Sequence, residues 1–287
     1  MLWLVVIFLT VVSIGASRAD DLPSPAAGMH LTFSETFDHP LSWCSDFCNG
    51  QRWRTKYTHS GTTPQSRGLG LSGGSESEVF IDPRYLGLGI NPFRIDQGTL
   101  IMSIEPASAR VKSMVAASWP SWWTGKRIAP KFTAGMLSTD PSFRQLYGYF
   151  EARIKISNVP GTWPAFWLLG PEEEIDVMEA LGGRPTRQHM TVLWGPVTKR
   201  QRFGKSLDTM DLSADFHTYG ALWTANEIVF YFDGVEQARF PNVAIRKPMF
   251  MIISMGTDGD WNKQQGFFTP PDAHAQMMVQ YVKAYQQ

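Results

Sequence analysis

Apolar and polar residues alternate with a period of two along much of the chain. In residues 146–156, Phe150, Ala152 and Ile154 fall on one face, and charged residues occupy the positions between them. This spacing is typical of a strand with one buried face. The same kind of pattern predicts further strands at 30–37, 99–105, 132–138, 163–169, 189–194, 216–223, 226–232, 235–240, 249–255 and 277–285.

The turns between these segments favour antiparallel pairing. Asp233-Gly234 separates the strands predicted at 226–232 and 235–240, and this dipeptide is a strong signal for a two-residue hairpin turn. Helical periodicity is scarce, and strands and helices do not alternate regularly. We therefore predict an all-β sandwich of two antiparallel sheets. The stretches 59–93 and 107–131 are predicted to be long surface loops.

The first residues look like an export signal. An apolar run at 2–12 is followed by small residues and Ser17-Arg18-Ala19, which is typical of a cleaved signal peptide over 1–19. The run is shorter than a bilayer span, although an uncleaved anchor is the alternative. We expect a secreted or periplasmic protein, with a short flexible leader at 20–28 and a single folded domain at 29–287.

The charge balance and the cysteines limit which classes of partner and which kind of cysteine chemistry we expect. The 287 residues contain 26 basic and 26 acidic residues, so no basic excess points to nucleic acid or to a membrane surface. Cys44 and Cys48 are the two cysteines, and an oxidising compartment would let them form a disulfide. A structural zinc site would need four ligands, and His39 is the nearby imidazole. We predict the disulfide and no metal site.

The most informative stretch is Glu174-Ile-Asp-Val-Met-Glu179. In a strand, Glu174 and Asp176 project from one face, whereas Glu179 is out of phase by one residue. A bulge near Val177 or Met178 would return Glu179 to that face. Cleavage of a glycosidic bond with retention needs two carboxyls about 5–5.5 Å apart, one ionised to attack and one protonated to donate. Three acids in a row would suit this chemistry.

A helix is the alternative for the same residues. Pro171 suits a first helical position, acidic residues suit the first turn, and Ile175, Met178 and Leu181 recur at a spacing of three. Solvated acids on such a helix, or a calcium site, would need no catalytic role. The periodicity by itself leaves both interpretations open.

The acidic stretch resembles the Glu-x-Asp-x-x-Glu signature of glycoside hydrolase family 16, the laminarinase and lichenase family. Further blocks resemble the family in the family's order and cover about 30–285: Phe132-Thr-Ala-Gly-Met, Tyr147-Gly-Tyr-Phe-Glu-Ala-Arg153, Trp163-Pro-Ala-Phe-Trp167, Phe216-His-Thr-Tyr-Gly-Ala-Leu-Trp223, Phe230-Tyr-Phe-Asp-Gly234 and Val279-Gln-Tyr-Val-Lys-Ala-Tyr285.

The resemblance implies a β-jelly-roll with a concave substrate cleft, formed by one catalytic domain. It also implies that Glu174 is the nucleophile, Asp176 its helper and Glu179 the general acid/base. The extra residue Met178 fits the bulged version of the family motif, in agreement with the strand phase.

Substrate-binding candidates are aromatic and polar residues near the matched blocks, and the tryptophans among them also fit core positions. Relatives often carry a histidine where Leu193 stands, and His189 lies on the same predicted face. The candidates are Trp163, Trp167, His189, Trp194, Glu78, Trp261 and Trp123.

The expected activity is retaining endo-hydrolysis of β-1,3- and/or β-1,4-linked glucans or of a glucose-rich exopolysaccharide. The stretches 77–83 and 89–93 resemble bacterial family members with such substrates. A non-hydrolytic β-glucan-binding lectin and a transglycosylase on the same fold are the alternatives. The polysaccharide is the expected partner of a monomer without stable membrane association. We expect no cofactor, and only family analogy allows a structural Ca²⁺.

Overall fold

The computed structural model describes residues 24–45, 48–57, 63–70, 76–140 and 142–287. The predicted signal peptide at 1–19 and the first part of the predicted leader lie outside these residues. Residues 24–27 form a turn in which the Ala27 amide donates to the Ser24 carbonyl at 2.8 Å.

The described residues are mostly strands. In chain order these are β1 (His30–Glu35), β2 (Trp43–Cys44), β3 (Trp53–Arg54), β4 (Glu78–Phe80), β5 (Phe93–Asp96), β6 (Thr99–Pro106), β7 (Phe132–Ala134), β8 (Met136–Ser138), β9 (Gly148–Lys155), β10 (Thr162–Leu169), β11 (Glu173–Ala180), β12 (Arg187–Trp194), β13 (Gln201–Asp208), β14 (His217–Trp223), β15 (Glu227–Phe232), β16 (Val235–Pro241), β17 (Phe250–Thr257) and β18 (Ala275–Gln286).

Helices are few and short in this part of the chain. They are α1 (Ala109–Ala117) and α2 (Asp260–Gln264), with 3₁₀ turns at Gln65–Arg67, Tyr85–Gly87 and Val197–Lys199. Among the described residues, no helix combines the length and the apolar character that crossing a bilayer requires.

The strands form two sheets, which confirms the predicted all-β sandwich. Sheet A runs β16-β15-β14-β9-β18-β6-β7-β4, with β1 beside β18 and β5 beside β6. Sheet B runs β13-β12-β11-β10-β17-β8-β3-β2. The pairing is antiparallel except for the short pairs β2–β3 and β4–β7.

The core lies between the two sheets and follows the period-two pattern. Phe150 and Ile154 of β9 and Phe166 and Leu168 of β10 are fully buried in one cluster. Each buried side chain of this size contributes about 2–3 kcal/mol through removal of apolar surface from water. The intervening residues of β10 face away from this core, and they line a cleft on the outer face of sheet B.

The predicted bulge is present in β11, between two paired neighbours. On β12, the partners advance from Thr191 opposite Asp176 to His189 opposite Glu179, so β11 advances by three residues while β12 advances by two. The extra residue lies at Val177–Met178, and both of these side chains are buried in the core. The strand excludes the alternative helix over 172–181, and the bulge returns Glu179 to the face of Asp176.

The predicted surface loop at 107–131 is wrong for its first half, which contains α1. Ser108 caps the helix by accepting a hydrogen bond from the Val111 amide at 3.3 Å. Val111, Val115 and Trp119 are buried in a second apolar cluster. Their spacing of four is helical, so the signal was present, but it spans only two turns.

The predicted loop at 59–93 is also partly wrong, although 58–62 and 71–75 lie outside the described residues. Val79 and Ile81 are buried beside Leu69 in the second cluster, and β4 begins at Glu78. Strand β13 was not predicted. It is an edge strand whose side chains are mostly exposed, so its sequence lacks the apolar face that marks a half-buried strand.

Cys44 and Cys48 form a disulfide, as predicted, with their Cα atoms 5.3 Å apart. The bridge closes a loop directly after β2, at the end of sheet B.

Gly148 allows β9 to approach the carbonyl of Tyr285 in β18. Its φ is +117°, and a Cβ atom there would lie 2.1 Å from the Tyr285 oxygen. We expect Gly148→Ala to lower the free energy of unfolding by at least ~2 kcal/mol more than Gly234→Ala. Gly234 also has a positive φ, +77°, but a Cβ atom added there would meet no other atom within 4 Å, so it isolates the cost of the dihedral angle. Urea unfolding of both variants measures the difference, and equal losses would contradict the close approach.

Candidate active site

A cavity of about 460 Å³ opens on the outer face of sheet B. Its floor is formed by alternate residues of β10, which are Trp163, Ala165, Trp167 and Leu169. The opposite wall comes from the chain around β3 and β4. The residues of that wall are Tyr57, Gly68, Glu76, Glu78 and Phe80.

The three predicted acids lie together in this cavity. Glu174, Asp176 and Glu179 all line it, because the bulge places them on one face of β11. Asp176 is almost fully buried, whereas the Glu174 side chain keeps 24% of its surface exposed. The row is therefore partly shielded from water and open to a ligand.

The two glutamates have different polar partners. Arg200 donates from Nη2 to Oε2 of Glu174 at 2.6 Å. Trp163 donates from Nε1 to Oε1 of Glu179 at 3.0 Å. A cation therefore faces the first carboxyl, and a neutral N–H group faces the second.

These partners separate the acidities of the row. Burial raises the pKa of Glu179 to about 8, with a further contribution from the negative charge of Glu174. Burial also raises the pKa of Glu174, but the Arg200 charge and a hydrogen bond with Asp176 oppose the rise. Burial and the charges of both glutamates hold the pKa of Asp176 well above its usual range. Near neutral pH Glu179 therefore holds its proton, whereas Arg200 favours the ionised form of Glu174. This is the direction of separation that acid–base chemistry on two carboxyls requires.

Asp176 connects the two glutamates along the strand. It shares a hydrogen bond with each of them, and both bonds oppose the rise in the glutamate pKa. The bond with Glu174 stabilises the ionised form of Glu174. Asp176 thus lies where the resemblance placed a helper of the nucleophile.

Trp163 and Trp167 lie on the cavity floor as half-buried side chains. Trp167 donates from Nε1 to Ser254 Oγ at 3.2 Å, and its ring centroid lies 6.1 Å from that of Tyr57. Both indoles are therefore held by neighbours while part of each faces the cavity. Stacking on a sugar ring stays a prediction for these residues.

Glu78 lies on the wall opposite the acid row. Its Oε2 accepts hydrogen bonds from the Thr257 amide at 2.9 Å and from the Thr257 hydroxyl at 2.8 Å. Burial raises its pKa to about 7, although these hydrogen bonds oppose the rise. Its place in the cavity agrees with the predicted substrate contact, which itself stays a prediction.

His189 and Trp261 line a second cavity of about 180 Å³ beside the first. Their ring centroids are 4.5 Å apart, and His189 Nδ1 lies 2.8 Å from Ser206 Oγ. The Trp261 ring lies 5.4 Å from the Trp163 ring, edge to face. These aromatic side chains form a continuous surface from the acid row to the second cavity.

Trp194 and Trp123 lie apart from both cavities. Trp194 packs against Phe203 with ring centroids 4.9 Å apart, and it contacts the core. It is one residue out of phase with Leu193, so it projects from the opposite face of β12. Trp123 packs on Trp119 at 4.8 Å, and the exposed indole of this segment belongs to Trp122.

Two contributors to the site were missed in the sequence. Arg200 follows the 3₁₀ turn at Val197–Lys199, outside every matched block, and Tyr57 follows the short strand β3. For Arg200 there was a weak signal, because a basic residue soon after the neighbour of an acidic strand can reach the acids. No sequence signal marked Tyr57. Within the described ranges, no group of three or more His, Cys, Asp or Glu side chains is arranged to hold a metal ion.

Comparison with known proteins agrees with this geometry. The model of the family "Glycosyl hydrolases family 16" matches residues 112–283, which include the acid row. Two curated relatives are endo-1,3-1,4-β-glycanases of Rhizobium meliloti (strain 1021). ExsH is 34% identical over 228 residues, which are 76% of this chain and 45% of ExsH. EglC is 32% identical over 264 residues, which are 88% of this chain and 51% of EglC. The chain thus spans about half the length of these relatives.

Solved structures share the fold. SCLam, a non-specific endo-β-1,3(4)-glucanase, superposes with a TM-score of 0.69 at 21% identity, over 94% of this chain and 99% of SCLam. The laminarinase from Rhodothermus marinus gives a TM-score of 0.66 at 25% identity, over 90% of this chain and 97% of that one. With the bulged acid strand, the two-sheet sandwich and the family match in place, the chain belongs to glycoside hydrolase family 16.

Proposed function

We propose that the protein is a retaining endo-β-glucanase that hydrolyses β-1,3- and/or β-1,4-linked glucans. The observation that carries the proposal is the acid row, in which Glu174 faces Arg200 and Glu179 faces the neutral Trp163 indole. The names of the relatives ExsH and EglC support the substrate class. A glucan-binding lectin would not need this row of acids.

In the first step, Glu174 attacks the anomeric carbon while Glu179 protonates the glycosidic oxygen. The bond from the sugar carbon to Glu174 forms as the bond to the leaving oxygen breaks, and the leaving chain departs as an alcohol. Arg200 and Asp176 stabilise the ionised Glu174 before attack. The raised pKa of Glu179 keeps the proton in place until it is needed.

In the second step, Glu179 acts as a base. It takes a proton from water as the water oxygen attacks the anomeric carbon, and the bond to Glu174 breaks. Two inversions give net retention. Glu179 regains its proton and Glu174 its charge, so the carboxyls carry the chemistry without a cofactor.

The cleft suits an internal segment of a long chain. Ring contacts from Trp163 to Trp261 and from Trp261 to His189 link the lining of the first cavity to that of the second. Sugar units on both sides of the cleaved bond would find contacts along this row. Export through the predicted signal peptide at 1–19 would bring the enzyme to an extracellular polymer. The Cys44–Cys48 disulfide is consistent with an oxidising compartment.

Replacing either glutamate tests the assignment. We expect Glu174→Gln and Glu179→Gln each to lower kcat on mixed-linkage β-glucan or laminarin by about 10²–10⁴-fold, with the circular dichroism unchanged. Glu172→Gln is the matched control, because Glu172 is exposed in the same stretch.

Azide tests the nucleophile separately. With Glu174→Ala, azide should restore turnover and give an α-glycosyl azide, which NMR detects. Near-normal turnover in either glutamine variant would refute the roles, and sugar products linked to an added acceptor would indicate a transglycosylase.

The pH profile of activity tests the separate roles of Glu174 and Glu179. Activity needs a protonated Glu179, so kcat/KM should fall as the pH rises above about 8. The acidic limb belongs to Glu174. Arg200→Met should shift this limb to higher pH, since it removes the charge that favours the carboxylate. Arg200→Lys should shift it less, and an unmoved limb in Arg200→Met would contradict the assignment.

The raised pKa of Glu179 also lowers stability at alkaline pH. The folded protein holds this proton up to about pH 8, whereas an unfolded glutamate loses it near 4.5. The folded state is therefore favoured most below pH 4.5, and its advantage is lost as the pH rises to about 8. Glu179→Gln keeps the oxygen that accepts from Trp163 and cannot ionise. We expect its melting temperature to exceed that of the wild type at pH 8 and to approach it near pH 4.5. A constant difference across this range would contradict the expectation.

A further inference from the structure

The two cavities differ in charge. Among the described residues that line the first cavity, the acidic ones outnumber the single basic residue, Arg200. These acids are Glu76, Glu78, Glu174, Asp176 and Glu179. The described lining of the second cavity contains no acidic residue, and its charged side chains are Arg184 and Arg187. Carboxyl groups thus crowd the first cavity, whereas the charged side chains of the second are guanidinium groups.

Arg184 and Arg187 share one acidic neighbour. Asp208 Oδ1 lies 3.8 Å from Arg184 Nη2 and 3.3 Å from Arg187 Nε, and the Asp208 side chain is 70% exposed. An exposed carboxylate is screened by water and neutralises little of the charge of two guanidinium groups. Two guanidinium groups against one carboxylate leave a net positive charge at the cavity.

The two arginines also lie close to His189 in the lining of the cavity. Burial, followed by the charges of Arg187 and Arg184, lowers the pKa of His189 to about 4. The imidazole is neutral above that pH and packs edge to face on Trp261. A neutral aromatic wall beside two guanidinium groups suits a sugar ring that carries an anionic group.

The second cavity lies next to the reacting bond. His189 is the register partner of Glu179 in the β11–β12 pair. The Trp163 indole donates to Glu179 and also packs edge to face with the Trp261 ring. A glucan chain across the acid row would therefore continue into this cavity.

We propose that the second cavity is a subsite for a carboxylate substituent of the polysaccharide, bound by Arg184 and Arg187. The inference rests on the proposed hydrolase function and narrows its substrate to sparsely acidic β-glucans. A carboxylate over the acid row would lie beside the nucleophile Glu174, whereas one at the arginine pair is bound through the planar, two-pronged guanidinium geometry. The enzyme then cleaves at a fixed distance from the substituent.

The test compares a neutral mixed-linkage β-glucan with the same polymer after sparse carboxymethylation. We expect Arg184→Met/Arg187→Met to lower the ratio of kcat/KM on the charged polymer to that on the neutral polymer by about tenfold. Arg94→Met is the matched control, because Arg94 also pairs with an aspartate, Asp96, but lies on β5 of sheet A. Mass spectrometry of the fragments should show a fixed position of the carboxymethyl group with the wild type and a scattered one with the double variant.

Asp208→Asn should change the same kcat/KM ratio in the opposite direction. Removing the shared acid frees both guanidinium groups, so the ratio should rise, which a purely structural role of Asp208 would not produce. This variant also decides the proposal if the double variant does not fold. An unchanged ratio in the arginine and Asp208 variants, or equal losses on both polymers, would overturn the subsite.

Failure of the hydrolase proposal has a different signature. A wild type that cleaves neither polymer refutes the hydrolase, and binding then decides the subsite. In the Glu174→Gln background, the carboxymethylated glucan should bind more tightly than the neutral glucan, with an advantage that falls as salt rises. Loss of that advantage on replacing both arginines supports the subsite, and equal binding of the two polymers overturns it.

Discussion

The site depends on one extra residue in a strand that is paired on both sides. A regular β11 would direct Glu174 and Asp176 into the cleft and Glu179 into the core, where a carboxyl without partners is costly. The bulge resolves this conflict by placing Val177 and Met178 together in the core. Because β10 and β12 hold β11 from both sides, the three acids have little freedom to separate.

Once the acids share a face, their neighbours decide which one carries a proton. The same burial acts on the whole row, and like charges at short range oppose full ionisation. Arg200 contributes a full positive charge at Glu174, whereas Trp163 contributes only an N–H dipole at Glu179. Two residues of the same type thus acquire distinct acidities from elements that are far apart in the sequence.

Much of the fold and the acid row was predictable, because their signals are local. The alternation at 146–156 and the turn at Asp233-Gly234 predicted β9 and the β15–β16 hairpin. For the acidic stretch, the periodicity left a helix open. If the stretch was a strand, its phase required a bulge to bring Glu179 to the face of Asp176. Arg200 and Tyr57 were not predictable in this way, because each depends on how a connection returns to the sheet. The helix α1 packs in a second apolar cluster, to which Leu69, Val79, Ile81, Tyr85 and Leu88 also belong. Its packing partners are therefore distant in the sequence.

The edge position of β13 has a consequence for divergence between related chains. Ser206 and Asp208 contact the residues of the second cavity from a strand whose side chains are mostly exposed. Substitutions on such a strand disturb little packing, since surface changes usually alter stability by less than ~0.5 kcal/mol. The electrostatic character of this end of the cleft is thus free to drift during evolution, while the bulged strand two positions inward is constrained by the core and the acids at once.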